Sequence, residues 1–156
     1  MVRTLFVCTG NTCRSPMAAA LLQNKINSAS AGTAYSVASA GLAAWPGQPA
    51  SPEAVLVMGQ RGLSLAGHSA RQIDFDQIAA SRIVLTMTRA HKEALLRLFP
   101  AAEDKIFTLA EYAGGQVDVA DPIGGTLQEY HTCADQLTKL IERAWDKIYQ
   151  LAGKTG

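Results

Sequence analysis

The chain of 156 residues has only three cysteines, Cys8, Cys13 and Cys133, which is too few and the wrong parity for a disulfide framework. A reducing, cytoplasmic compartment is the expectation. Long apolar runs are missing too: Leu5 to Val7 is too short for a signal peptide, and nothing approaches the roughly 20 residues that cross a bilayer. No membrane partner is expected. Neither charge sign dominates, with Lys+Arg 14 against Asp+Glu 13 and a formal net charge of +1. The basic residues are scattered, which excludes the clustered footprint of a nucleic-acid binder. Repeats, linkers and low-complexity tracts are also absent. A soluble protein and a monomer are the expectation, with residues 1–156 forming one domain that buries about two-thirds of its unfolded surface.

The chemistry is concentrated in Val2 to Ala18, VRTLFVCTGNTCRSPMA. A short apolar run reads as a buried strand, then come Cys8, a small polar loop, Arg14, Ser15 and a helix start. Thr9, Gly10, Asn11, Thr12 and Cys13 are small enough to wrap backbone N–H groups around a tetrahedral oxyanion, and Gly10 and Asn11 tolerate positive φ. The helix that follows aims its N-terminus at the same point, so a bound phosphate is favoured there, and so is a thiolate at Cys8. Arg14 can grip two non-bridging oxygens in a bidentate fork that lysine does not reproduce. Ser15 either donates its hydroxyl to the Cys8 sulfur or caps the helix, and Pro16 suits the first turn. A Cys and an Arg at this spacing are weak evidence alone. The flanking strand and helix carry the weight.

Strand and helix alternate along the whole chain. Strands are expected near Arg3 to Val7, Tyr35 to Ser39, Arg82 to Thr86 and Lys105 to Phe107. Helices are expected near Met17 to Ser28, Pro52 to Arg61, Phe75 to Ala80, Arg89 to Leu98 and Thr126 to Leu151. The pattern specifies an α/β fold: a single-domain, doubly wound, four-stranded parallel sheet with helices on both faces, and a ligand crevice at the carboxyl ends of the strands. In the last helix Leu137, Leu140, Ile141, Ala144, Ile148 and Leu151 recur at helical spacing as core contacts. Cys133, in the same helix, reads as a small core residue.

A phosphoryl transfer that expels a poor leaving group needs a proton donor, and the loop contains none. Asp121 lies in GGQVDVADPIGG, where the glycines and Pro122 argue for a mobile surface loop able to fold over a site. Asp118 competes for the role, and the residues by themselves do not separate the two.

Cys8 through Pro16, the Ser39-Ala40-Gly41 triplet after the second strand, His68, and Asp121-Pro122 together resemble the low-molecular-weight protein tyrosine phosphatases over nearly the whole chain. The resemblance implies a catalytic trio of Cys8, Arg14 and Asp121, with Asn11, Ser15 and Ser39 bracing the loop and His68 buttressing it. It also implies a metal-free and cofactor-free two-step reaction on phosphorylated proteins. In that reaction Cys8 attacks phosphorus, Asp121 protonates the leaving atom, and water then hydrolyses the cysteinyl-phosphate.

Two departures bear on the substrate. Tyrosine-directed members commonly carry a larger aliphatic residue where this loop has Thr12, and tyrosines just after the Asp-Pro, where this chain has Ile123-Gly124-Gly125. CTGNTCRSPM, MTRAHK at residues 87–92 and FTLAEY at 107–112 instead look like the bacterial protein arginine phosphatase branch, in which the loop threonine is understood to favour the phosphoguanidinium group. Phosphotyrosine hydrolysis is the alternative.

Cys13 lies close enough to Cys8 in sequence for a protective disulfide if the geometry allows, which would switch the enzyme off reversibly. His91 and His131 are expected on solvated helix faces. Trp45 reads equally as a pocket wall or as ordinary packing. An arsenate reductase on the same fold would need a cysteine relay that Cys133 alone does not complete. A non-catalytic oxidant sensor would leave Arg14, Ser15 and Asp121 without a task.

Overall fold

β1, Val2–Cys8, is apolar on both faces because it lies between two parallel neighbours and under helices on either side. The strand order is β2-β1-β3-β4, with β2 at Tyr35–Gly41, β3 at Ile83–Thr86 and β4 at Ile106–Thr108, and every pairing is parallel. The computed structural model describes residues 1–153. Among these no helix is long and apolar enough to cross a membrane.

The two-residue period of the strands divides the core. Val2, Phe6, Cys8, Ile83 and Leu85 face one cluster with Met17, Leu22, Leu137, Ile141, Ala144 and Ile148. Leu5, Val7, Ala40 and Val84 face the other with Ile78, Leu95 and Ile106. The first cluster is covered by α1, Arg14–Ser28, and α6, Leu127–Gly153, whose buried stripe includes the residues expected from periodicity, with Leu151 half-buried at its edge. The second is covered by α3, Phe75–Ala80, and α4, Arg89–Leu98. Helix α2, Pro52–Gln60, starts on a Ser51 cap with proline in its first turn.

Several boundaries differ from the sequence expectation. α1 begins at Arg14 and not at Met17. β2 runs on through Gly41, so the Ser39-Ala40-Gly41 triplet lies inside the strand and not after it, paired in register with Phe6, Val7 and Cys8. A 3₁₀ turn at Pro100–Lys105 and a single-turn helix α5 at Leu109–Tyr112 were not expected, being too short to produce a periodic signal. α5 is held by a capping box between Thr108 and Glu111.

From β1 the chain crosses to β2 on one side, and from β2 it crosses over to β3 on the other. The carboxyl ends of β1 and β3 therefore bound the crevice where ligands collect in such sheets. The loop after β1 opens into this crevice.

Candidate active site

The loop turns at Asn11, whose φ of 58° lies in the left-handed region. Gly10, also expected to permit this, does not adopt it. Asparagine tolerates the conformation because its short side chain bonds locally, and every polar atom of that side chain is used. Oδ1 accepts from the Arg71 N–H at 2.9 Å, which fixes the amide orientation. Nδ2 therefore donates, to Ser15 Oγ at 2.8 Å and to Ser39 Oγ at 3.0 Å. Ser15 Oγ, already an acceptor, keeps its own proton for Cys8 Sγ, 2.9 Å away. The bond sequence ends in a hydroxyl aimed at the sulfur, the polarity a thiolate accepts. His68 Nε2 donates to the Asn11 carbonyl at 2.6 Å.

Of the two roles open to Ser15, the geometry selects the bond to sulfur. The N-cap of α1 is Cys13, and no side chain caps it. Among the described residues, none of the backbone N–H groups from Thr9 to Ser15 is taken by another residue. Such a set of converging donors at a helix start binds tetrahedral anions.

Gly41 presses on this loop from β2. A Cβ there would lie 2.5 Å from the Thr9 carbonyl O and 3.1 Å from the Asn11 N, both backbone atoms that cannot swing aside. Its neighbours Leu42 and Ala43 donate to the Cys8 and Thr9 carbonyls, each at 2.9 Å. Gly41→Ala is expected to cost about 1–3 kcal/mol, lowering Tm by several degrees, and to reduce kcat by displacing Thr9 and Asn11. A thermal melt and kinetics on the same sample check this, and a variant that melts with the wild type would mean that the loop is not braced from β2.

Arg14 is buried. Its Nη1 donates to the Val119 carbonyl at 2.9 Å, and its Nη2 lies 3.4 Å from Asp121 Oδ2. Asp118 faces elsewhere: its Oδ1 accepts from the Arg89 N–H at 3.0 Å, and its carbonyl accepts from Gln136 at 3.1 Å. Of the two aspartates, Asp121 is the one that reaches the arginine. The segment carrying Asp121 was expected to be a mobile surface loop, but it is tied down at its base. Val119 is fully buried, and its N–H donates to the Met87 carbonyl at 3.0 Å.

Thr12 is 8% exposed, with its hydroxyl 3.7 Å from Cys13 Sγ. Cys13 turns toward α2 and α6, where Sγ lies 3.3 Å from Ser51 Oγ and 3.5 Å from the Tyr130 hydroxyl. All three cysteines are free thiols, so a Cys8–Cys13 disulfide requires Cys13 to leave these partners. Burial pushes the Tyr130 phenol up to about 12, helped by its bond to Cys13. Cys133 is buried in α6, and burial pushes its thiol up to about 12, as suits an inert core residue.

His91 corrects an expectation. It is not on a solvated face: it is 8% exposed in the first turn of α4, and its Nε2 lies 2.9 Å from Thr9 Oγ1. Burial, and then the Arg14 guanidinium, pull its imidazole down to about 4, against weaker opposing pulls from Asp118 and Asp121. The missed signal was its position four residues before the buried Leu95, on the inward stripe of α4. His131 is half-buried on α6. Trp45, 79% exposed, is not packing. It stands on the segment after β2, two residues beyond the Ala43 bond to Thr9.

The family profile described as low molecular weight phosphotyrosine protein phosphatase matches residues 3–152. The chain is 44% identical over 147 residues to the protein-arginine-phosphatase of Geobacillus stearothermophilus, covering 94% of this chain and 95% of that protein. The solved structure of the YwlE arginine phosphatase from the same organism superposes with a TM-score of 0.90 at 41% identity, covering 100% of this chain and 98% of that one. A probable low molecular weight protein-tyrosine-phosphatase, EpsP of Ralstonia nicotianae, is 35% identical over 146 residues, covering 93% and 94% of the two chains.

Proposed function

The chain belongs to the low molecular weight phosphotyrosine protein phosphatase family, and we propose that it hydrolyses phosphoarginine in proteins, as a single-domain cytoplasmic monomer, through a cysteinyl-phosphate intermediate. The observation that carries the phosphoarginine reading is Thr12 in the loop. It is a polar, β-branched and nearly buried residue at a position where tyrosine-directed members commonly hold a larger aliphatic one. The higher identity to an arginine phosphatase than to the tyrosine phosphatase EpsP supports the reading. So does the lack of aromatic residues after Pro122, where Ile123 is followed by glycines.

In the proposed reaction Cys8 attacks phosphorus in line. The free amides of the loop hold the equatorial oxygens together with those Arg14 N–H groups that are not given to Val119. Asp121 stands beside Arg14 and so within reach of the leaving atom, which it protonates as the P–N bond breaks. Asp121 then deprotonates a water that attacks the cysteinyl-phosphate. Phosphate leaves and the Cys8 thiolate returns.

Side-by-side turnover of phosphoarginine and phosphotyrosine peptides tests this reading. Wild type is expected to prefer phosphoarginine, and Thr12→Ile to move the preference toward phosphotyrosine by tenfold or more, about 1.4 kcal/mol. A wild type that prefers phosphotyrosine would make the protein a tyrosine phosphatase.

A further inference from the structure

Thr9, directly after Cys8, is clamped from the segments that follow both neighbouring strands. On the β2 side its carbonyl accepts from the Ala43 N–H at 2.9 Å. On the β3 side its hydroxyl meets His91 Nε2 at 2.9 Å, from the first turn of α4. His91 is held in turn by its own N–H on the Thr88 capping hydroxyl at 3.1 Å. Its other ring nitrogen, Nδ1, is buried without a hydrogen-bond partner among the described residues.

That unpaired nitrogen fixes the direction of the bond. With burial and the Arg14 charge holding the ring neutral, the imidazole has one N–H and one lone pair. Leaving an N–H unpaired in the interior is rarer than leaving a lone pair unused, so the proton belongs on Nε2. Nε2–H then donates to Thr9 Oγ1. The Thr9 hydroxyl proton, not used by the histidine, is left to be given elsewhere. Thr9 is exposed at the cradle, one residue from Cys8.

We propose that the Thr9 hydroxyl is a further hydrogen-bond donor to the phosphoryl group during transfer, and that His91 is the positioning residue that orients it. This rests on the cysteinyl-phosphate reaction proposed above but not on the preference for phosphoarginine. His91 acts only through Thr9. Removing either end of the pair therefore removes the same interaction.

The test is a double-mutant cycle of Thr9→Val and His91→Leu, with Thr9→Ser and His91→Gln as conservative controls. It is read with p-nitrophenyl phosphate as substrate and vanadate as a transition-state-like inhibitor. Thr9→Val keeps the shape of the side chain and removes the hydroxyl, and is expected to lower kcat roughly tenfold or more with little change in KM and weaker vanadate inhibition. Thr9→Ser is expected to stay within about threefold of wild type, and His91→Gln, which keeps a neutral N–H donor, to recover most of what His91→Leu loses. The double variant is expected to be no slower than the slower single variant. Losses that multiply, or a Thr9→Val enzyme with wild-type kcat and vanadate affinity, would overturn the assignment. If His91→Leu does not fold, as a melt would show, the comparison of Thr9→Val with Thr9→Ser decides alone. A wild type with no turnover of any phosphate substrate would instead overturn the underlying reaction.

Discussion

Arg14→Lys is expected to lower kcat on a phosphoarginine peptide by about three orders of magnitude while leaving the protein folded. The guanidinium has Nη1 on the Val119 carbonyl at 2.9 Å and Nη2 beside Asp121 at 3.4 Å, and in the proposed reaction its remaining N–H groups serve two phosphoryl oxygens. Lysine is a single point charge on a flexible stem. It can keep a salt link to Asp121 or reach the loop, but it cannot present a bidentate fork while anchored to a backbone carbonyl. Losing the Val119 anchor also loosens the segment that carries Asp121, so the acid and the oxyanion grip fail together. Single-turnover kinetics, with a melting curve as the check on folding, measure this. A lysine variant retaining more than a tenth of wild-type kcat would show that charge alone suffices at this position.

The effect of Asp121→Asn is expected to depend on the leaving group. With phosphoarginine, breaking the P–N bond requires a proton on the departing nitrogen, and loss of the acid is expected to cost about 10²- to 10⁴-fold in kcat. With p-nitrophenyl phosphate the departing phenolate needs little help, so the first step is expected to run near the wild-type rate. The second step still lacks its base, so cysteinyl-phosphate accumulates and nitrophenol appears as a burst. Asp118→Asn is the internal comparison. Asparagine keeps the Oδ1 that accepts from the Arg89 N–H, so turnover is expected within a few-fold of wild type for both substrates. A leaving-group-dependent loss in Asp118→Asn and none in Asp121→Asn would exchange the two roles.

The parts of the site legible in the sequence were those whose neighbours lie along the chain. Cys8, Arg14 and Ser15 fall on one strand–loop–helix unit, where strand periodicity and the start of a helix place side chains within a few residues of one another. The choice between Asp118 and Asp121 was not legible, because three residues of loop give no direction. It depended on which carboxylate the first turn of α4 took and which was left for Arg14. His91 was misjudged for a related reason. A polar residue on an amphipathic helix is assigned to solvent by default, and its burial depends on a hydroxyl contributed 82 residues earlier in the chain, at Thr9. Gly41 was noticed only as part of a triplet, although a Cβ there would collide with the backbone of the Thr9–Asn11 loop.

Sequence by itself determined the alternation of strands and helices, the parallel sheet that alternation entails, and the cysteine–arginine loop at the end of β1. Local hydrogen bonding, side-chain period and backbone sterics act over a few residues and are written in their order. Tertiary structure alone decided the polarity of the bonds from Arg71 through Asn11 and Ser15 to Cys8, the pairing of Arg14 with Val119 and Asp121, and the neutral His91 behind Thr9. Each of these depends on a group from another strand–helix unit: Arg71, Val119 with Asp121, or His91. A buried donor or acceptor takes its partner from whatever the packed sheet brings within about 3 Å, and that distance is set by the fold as a whole.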